Sequence, residues 1–123
     1  MRNKVSIALG IIFLVIAFMG CTTKNKEKLY IELTQEVEYL CSDKSIVNAR
    51  FYTLTDNSLG FVKVNMADVK EHTLPQVIAA SGVRYSDEYS IQFWVKGNTM
   101  TLYMKREDGE WEIIKEGTVR SCT

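Results

Sequence analysis

Two short clusters in the chain combine a reactive polar side chain with a glycine. In the first, a small apolar segment stops at Ser81, and Gly82 permits a sharp loop that would present the serine hydroxyl outward. In the second, Lys96 ends an apolar run directly before Gly97-Asn98, a pair typical of a tight hairpin turn. A lysine in that place projects from a rigid base into whatever approaches the turn.

A serine and a lysine can also serve as nucleophile and base, so catalysis is one interpretation of the two clusters. Serine–lysine catalysis needs a desolvated lysine within hydrogen-bond reach of the serine, and an oxyanion hole. Ser81 lies in neither an S-x-x-K nor a G-x-S-x-G setting. We therefore expect that the protein is not an enzyme.

The other residue types that bind metals or nucleic acids are sparse. The three cysteines are far apart in sequence, and the single histidine, His72, sits in a polar stretch where we expect a surface residue. A metal site would need more ligands than these. Positive charges after residue 28 are dispersed singly, which disfavours nucleic-acid binding. We expect no metal, no cofactor and no nucleic-acid partner.

The first twenty residues predict an export signal. Arg2 and Lys4 precede an apolar run from Val5 to Met19, which at about fifteen residues is short for a membrane-spanning helix. The run ends at Phe18-Met19-Gly20-Cys21, which resembles a bacterial lipobox, where a cysteine is lipidated and becomes the new N-terminus. We predict a lipoprotein signal peptide over residues 1–20 and lipidation of Cys21. An ordinary cysteine beside an uncleaved anchor is the alternative.

Cys21 and the residues after it predict a membrane-tethered protein. Several acyl chains would hold it firmly on a membrane, and Thr22, where an aspartate would favour inner-membrane retention, favours the outer membrane, facing the periplasm. Residues 21–34 are interpreted as the lipidated cysteine and a polar, lysine-rich tether. Leu29, Ile31 and Leu33 in that stretch are also compatible with the beginning of a strand.

The two remaining cysteines, Cys41 and Cys122, form an even pair in an exported protein, so we predict a disulfide between them. The bridge would tie the beginning of the domain to its penultimate residue. In the chain-entropy model, closing so long a loop contributes about 4 to 5 kcal/mol to stability.

Residues 35–123 are predicted to form one all-β domain, because short β-rich runs alternate with turn residues at even spacing. The runs are Val37–Cys41, Val47–Thr53, Phe61–Asn65, Val69–Glu71, Leu74–Ala80, Tyr89–Lys96, Thr99–Lys105, Glu110–Lys115 and Thr118–Cys122. Because Val69–Glu71 is only a short segment, these nine runs predict seven or eight short antiparallel strands. That number suits a small closed barrel, since closure removes exposed sheet edges. We expect its interior to be filled by the aromatic residues Phe51, Tyr52, Phe61, Tyr85, Phe93, Trp94, Tyr103 and Trp111.

A barrel can also enclose a ligand, so an envelope lipoprotein that binds a small apolar molecule is the alternative function. An interior cavity of several hundred cubic ångströms lined by apolar side chains would support it. A filled core would count against it.

The two clusters belong to a longer pattern, SGxxY followed closely by FWxKG. The matching residues are Ser81, Gly82, Tyr85, Phe93, Trp94, Lys96 and Gly97. Together with Tyr39-x-Cys41, a late cysteine and the lipoprotein start, the pattern resembles the MliC/PliC family of periplasmic and membrane-bound inhibitors of c-type lysozyme. The resemblance covers about residues 37 to 122.

The resemblance implies an eight-stranded antiparallel barrel whose loop serine and hairpin lysine enter the cleft of a c-type lysozyme. A retaining glycosidase of this kind uses two carboxyl groups about 5 Å apart, one of them ionised. Lys96 would place an ammonium against them, and Ser81 would add a hydrogen bond. Tyr85 is expected to brace the Ser81 loop, and Arg84 to contact the rim. The implied lysozyme-binding residues are Ser81, Gly82, Arg84, Tyr85, Lys96 and Gly97.

The net charge of zero is a sum over unlike segments. Of the fifteen basic and fifteen acidic side chains, two basic ones lie in the export signal, and three basic and two acidic ones lie in the tether. Residues 35–123 therefore hold 10 basic and 13 acidic groups. An acidic domain suits capture of a basic enzyme such as the familiar c-type lysozymes, because opposite charge steers encounter. An ordinary solubility charge is the other interpretation.

Overall fold

A computed structural model of the chain describes residues 27–67 and 69–120. The predicted export signal, the lipidation site Cys21 and the predicted bridge partner Cys122 lie outside these ranges. Within them, no helix is long and apolar enough to cross a bilayer.

Eight strands follow one another in a closed antiparallel barrel, in which each strand pairs with its neighbours in sequence and β1 pairs with β8. The prediction of an all-β, eight-stranded antiparallel barrel is confirmed. The strands are β1 (Ile31–Cys41), β2 (Ile46–Leu54), β3 (Gly60–Met66), β4 (Val69–Val77), β5 (Val83–Ser86), β6 (Ile91–Lys96), β7 (Thr99–Lys105) and β8 (Trp111–Val119).

Alternation of apolar and polar residues explains why these segments form strands with one buried face. In β3, Val62, Val64 and Met66 are buried, whereas Lys63 and Asn65 between them lie on the outside. Successive side chains of a strand point to opposite faces, so this two-residue period turns one row of each strand toward the barrel interior.

Two strands each join two runs that were predicted as separate. The separate runs at 69–71 and 74–80 form the single strand β4, although it contains Pro75. Pro75 pairs with Phe61 of β3, while the pairing with β5 includes only Gln76 and Val77. The proline therefore occupies an edge position on its β5 side, where no ladder hydrogen bond is lost.

The last strand, β8, joins the two runs predicted at 110–115 and 118–122. It continues through Gly117, which pairs with Cys41 where β8 meets β1. A Cβ atom at Gly117 would lie 2.9 Å from the carbonyl oxygen of Leu40, so the glycine permits the close approach that seals the barrel. At the other end of the chain, β1 begins at Ile31, inside the segment assigned to the tether.

The barrel interior is packed with buried apolar side chains from the seven strands β1 to β7. Tyr39 and Phe93 lie at its centre with ring centroids 6.1 Å apart, and the rings of Phe51 and Tyr85 lie 5.6 Å apart beside them. The buried apolar residues are Val37, Tyr39, Cys41, Val47, Ala49, Val62, Val64, Met66, Leu74, Tyr85, Ile91, Phe93, Met100 and Leu102.

The aromatic filling differs from the prediction because neighbouring residues of a strand cannot face the same way. Phe51 faces inward, so Tyr52 faces outward and stacks on Phe61, with ring centroids 5.0 Å apart. Trp94, Tyr103 and Trp111 also lie on outward-facing positions, while the buried Tyr39 replaces them inside.

His72 is not the surface residue that was expected. It pairs with the buried Val64, so its ring lies on the inward face of β4 and is partly buried. Its Nε2 atom is buried and has no hydrogen-bond partner among the residues that the structure describes.

Candidate functional site

The two clusters identified in the sequence lie at the same end of the barrel, which we call the upper end. The connection between β4 and β5, residues 78–82, forms the Ser81 loop. The turn between β6 and β7, Gly97-Asn98, follows Lys96 directly. Because adjacent antiparallel strands exchange direction, the end of β4, the beginning of β5 and the β6–β7 turn are all at this end.

The hairpin that carries Lys96 is held on both sides of its turn. Gly97 has a φ of +57° and Asn98 does not take a positive φ, the arrangement of a type II′ turn. The Thr99 hydroxyl donates to the carbonyl oxygen of Lys96 at 2.8 Å. The backbone N–H of Val119 donates to the carbonyl oxygen of Asn98 at 2.8 Å, which ties the turn to β8.

Gly82 brings the Ser81 loop against this hairpin. It has a φ of +66°, a left-handed conformation that favours glycine. A Cβ atom at this position would lie 2.3 Å from the carbonyl oxygen of Val95 and 2.8 Å from Cγ of Lys96. The loop backbone thus packs directly on the last residues of β6, and any side chain at residue 82 would push it away.

Trp94 contacts both clusters with different parts of one side chain. Its indole Nε1–H donates to the carbonyl oxygen of Ser81 at 2.7 Å. The Nζ atom of Lys96 lies 4.7 Å from the centroid of the Trp94 ring, within the range of a cation–π interaction. One outward-facing tryptophan therefore fixes the loop backbone and supports the ammonium group.

The functional groups of Ser81 and Lys96 are exposed to solvent. In the described ranges, the Ser81 hydroxyl makes no hydrogen bond and Lys96 takes part in no ion pair. The hydroxyl and the ammonium are not bonded to each other as a nucleophile and its base would be. They form two hydrogen-bonding groups at a rigid protein edge, available to a polar partner.

Arg84 lies on the outer face of β5 beside the Ser81 loop, where its side chain is partly buried. Nε and Nη2 donate to the carbonyl oxygen of Ile78 at 3.1 and 2.9 Å. Nη1 donates to Oε1 of Gln92 at 3.1 Å and pairs with Glu88 at 3.3 Å. These contacts hold the first residue of the loop from the outer face of β5.

Tyr85 supports the site from the opposite, inward face of β5. Its side chain is 7% exposed and packs between Phe51 and Phe93, with ring centroids 5.6 and 6.4 Å away. Burial raises the pKa of the Tyr85 hydroxyl above its ordinary value. The residue anchors β5 in the core directly after the loop.

Two residues of this end were not assigned to the site from the sequence. The aromatic pattern predicts Trp94 in the core, but alternation with the inward Phe93 gives it an outward position. The apolar run predicts Ile78 within a strand, whereas β4 ends at Val77 and the Ile78 side chain is 93% exposed. The strand period contained the signal for Trp94; no local pattern marked Ile78.

A cavity of about 250 Å³ opens into the barrel at the upper end, with Val37, Phe51, Tyr85 and Asn98 among its lining residues. Small-molecule sites usually measure about 300 to 1,000 Å³. Below it, Tyr39 and Phe93 fill the centre of the barrel. The packed interior counts against the alternative of an apolar ligand held inside.

Comparison with known proteins gives three findings that agree with one another. The family described as membrane-bound lysozyme-inhibitor of c-type lysozyme, MliC, matches residues 39–111. A Yersinia enterocolitica (serotype O:8 / biotype 1B) protein named membrane-bound lysozyme inhibitor of C-type lysozyme is 62% identical over 94 residues, covering 76% of this chain and 68% of that protein.

The third finding is structural. The crystal structure of Pseudomonas aeruginosa MliC in complex with hen egg white lysozyme superposes with a TM-score of 0.56. The likeness covers 81% of this chain and 92% of that one, at 22% sequence identity. At that identity the likeness establishes the shared barrel fold.

Proposed function

Because this chain belongs to the family of membrane-bound inhibitors of c-type lysozyme, we propose that it inhibits a c-type lysozyme by filling the active-site cleft with its upper end. The observation that carries this proposal is the junction of the Ser81 loop and the Lys96 hairpin. Gly82 and Trp94 hold the two together, and both functional side chains are exposed. By blocking the enzyme, the protein would protect peptidoglycan.

The chemistry of the two side chains fits the cleft of a retaining glycosidase. Such a cleft contains two carboxyl groups about 5 Å apart, one of them ionised. The Lys96 ammonium would leave the Trp94 ring and bind the carboxylate, exchanging a cation–π contact of about 0.5 to 1 kcal/mol for a stronger charge-assisted hydrogen bond. The Ser81 hydroxyl would add a hydrogen bond beside it.

The rigidity of this end favours tight binding. Association is weakened by the ordering of flexible loops, so a loop already fixed in its bound shape loses less free energy. Gly82 and Gly97 set the two backbone turns, and Tyr85 anchors the strand between them. We propose that Arg84 also acts in this way, through its bonds to the loop rather than through direct contact with the rim of the enzyme.

Net charge would assist the encounter. The domain carries 13 acidic and 10 basic groups, and a basic lysozyme would be attracted to it over distances up to about 10 Å at 0.1 M salt. The association rate constant would then fall as ionic strength rises, while the dissociation rate constant would change little.

We propose further that lipidation of Cys21 anchors the protein in the outer membrane with the barrel facing the periplasm. The lipobox-like end of the export segment supports this, as does the membrane-bound character named for the matching family. Radiolabelled palmitate should be incorporated into the wild-type chain and not into Cys21→Ser. Label that persists in the variant would refute the anchor.

The disulfide between Cys41 and Cys122 stays a prediction. Cys41 is buried with the core residues inside the barrel, where burial raises the pKa of its thiol. Cys122 lies outside the described residues. Mass spectrometry of a non-reduced digest would detect the bridged peptide pair.

Cell-wall lysis by a c-type lysozyme tests the main proposal. The full chain, purified in mild detergent, should suppress lysis at near-stoichiometric amounts. Detergent alone and an unrelated muramidase provide the controls for the assay and for specificity. Absence of inhibition across several c-type lysozymes would remove the proposed function.

A further inference from the structure

Ile78 is the most exposed large apolar side chain among the described residues, at 93%. Single exposed apolar residues are common on proteins and by themselves indicate nothing. Ile78 differs from these because its backbone is held by hydrogen bonds although its side chain is almost fully exposed.

The carbonyl oxygen of Ile78 accepts two hydrogen bonds from the Arg84 guanidinium, at 3.1 and 2.9 Å. Arg84 is in turn fixed by the buried side chain of Gln92 and by an ion pair with Glu88. An apolar side chain displayed on a fixed backbone can be buried by a partner with little loss of conformational entropy.

Ile78 is also continuous with the candidate site. It begins the Ser81 loop, and the same loop ends at Gly82, whose backbone packs on Lys96. A groove of about 510 Å³ runs beside the loop, with Ile78 and Val83 on one wall and the β2–β3 turn with Leu59 on the other. A partner that covers Ser81 would therefore meet Ile78 and this groove.

We propose that Ile78 is a specificity-determining contact of the inhibitor, packing against an apolar wall of the lysozyme cleft, and that Arg84 is its positioning residue. This inference rests on the proposed function. The general acid of c-type lysozyme lies in a hydrophobic pocket close to the ionised carboxylate. A surface that directs Lys96 to the carboxylate therefore brings the neighbouring loop near apolar surface, which matches an exposed isoleucine.

Binding to hen egg-white lysozyme, measured by surface plasmon resonance with the full chain in detergent, tests the role of Ile78. Ile78→Ala should weaken binding about tenfold, mostly through faster dissociation, and Ile78→Asp should weaken it further. The matched control is Ile113→Ala, because Ile113 is 51% exposed on β8, away from the upper end. It should bind within about twofold of wild type. Ile78→Ala should melt close to wild type, because the Ile78 side chain is 93% exposed outside a strand. Ile113→Ala should melt somewhat lower, because it removes a β-branched side chain from β8.

The outcomes separate the inference from the proposed function. If the wild-type chain binds lysozyme and Ile78→Ala binds as tightly as Ile113→Ala, the role of Ile78 would be overturned and the inhibitor function would remain intact. A wild-type chain that binds and inhibits no c-type lysozyme would overturn both.

A double-mutant cycle tests Arg84 as a positioning residue. Arg84→Lys keeps the positive charge but cannot make the two-donor contact with the Ile78 carbonyl. It should weaken binding severalfold when residue 78 is isoleucine and much less in the Ile78→Ala background. Equal weakening in both backgrounds would show that Arg84 only stabilises the fold and would overturn its positioning role.

Discussion

The two ends of the barrel carry the same pair of side chains in different settings. At the upper end, Nζ of Lys96 lies 4.7 Å from the ring centroid of Trp94. At the lower end, where β7 turns into β8, Nζ of Lys105 lies 5.6 Å from the ring centroid of Trp111. Each pair stands beside a hairpin turn that contains a glycine with positive φ, so the local sequence chemistry is nearly matched.

The difference lies in what approaches each hairpin. At the upper end, the Ser81 loop packs on the strand and receives the Trp94 indole hydrogen bond. At the lower end, the residues described here give Trp111 no such bond, and it is 37% exposed. The two hairpins therefore differ in the loop that packs beside the upper one. Under the proposed function, this loop is what makes the upper end the binding end.

The largest difference in inhibition between the two ends should appear when each lysine is replaced by alanine. Lys96→Ala should weaken lysozyme inhibition by about 2 to 5 kcal/mol, since it leaves a buried carboxylate of the enzyme without its partner. Lys105→Ala should have almost no effect, because in the proposed complex the lower end would not contact the enzyme. Inhibition constants from the lysis assay measure both.

The melting temperatures of these two variants should stay close to that of wild type, since both lysines are exposed. If Lys96→Ala inhibited as strongly as wild type, the proposed insertion of the upper end would be contradicted. An equal loss of inhibition in both variants would also contradict it, and would point to a general charge effect.

The next largest difference should come from replacing Gly82 at the upper end and Gly109 at the lower end with alanine. Gly82→Ala introduces a Cβ atom 2.3 Å from the Val95 carbonyl oxygen as well as a strained positive φ. We expect it to lower the free energy of unfolding by about 2 to 4 kcal/mol and to weaken inhibition. At Gly109, with a φ of +89°, an added Cβ meets nothing within 4 Å.

Gly109→Ala should therefore lower the free energy of unfolding by only about 1 to 2 kcal/mol, the effect of backbone strain alone. Urea denaturation of both variants gives the comparison. If the two glycines proved equivalent, close packing of the Ser81 loop on β6 would be ruled out.

The barrel could be predicted from the sequence because its main signals are local. Apolar alternation and the turn pairs at Gly97-Asn98 and Asp108-Gly109 indicate short antiparallel strands regardless of what surrounds them. Strand ends were missed where Pro75 and Gly117 interrupt the pattern. At these two positions the neighbouring strand determines whether the strand continues. Pro75 lies where β4 is not yet paired with β5, and Gly117 lies where β1 comes close to β8.

The site divides in the same way. Ser81 and Lys96 were identified from short motifs, and their turns follow from the adjacent glycines. The bonds that join them were not predicted, because they depend on the register in which β5 pairs with β6. Val83 pairs with Val95, and this register places the Ser81 loop beside Trp94 and Lys96.

The smallest effect should come from the indole nitrogens. Trp94→Phe keeps an aromatic ring under Lys96 but removes the N–H that holds the Ser81 carbonyl. A hydrogen bond of this kind contributes about 0.5 to 1.5 kcal/mol, so inhibition should weaken by up to about tenfold. Trp111→Phe removes an indole N–H at the lower end and should leave inhibition unchanged.

The same exchange at both ends separates the hydrogen bond from the ring. If only the contact between the aromatic ring and the lysine matters, Trp94→Phe and Trp111→Phe should inhibit lysis equally well, because phenylalanine keeps an aromatic ring. A loss confined to Trp94→Phe, and smaller when Ser81→Ala is already present, would locate the effect in the bond to the Ser81 loop. That result would show that the hydrogen bond from Trp94 to the Ser81 loop contributes to the inhibitory function of the upper hairpin.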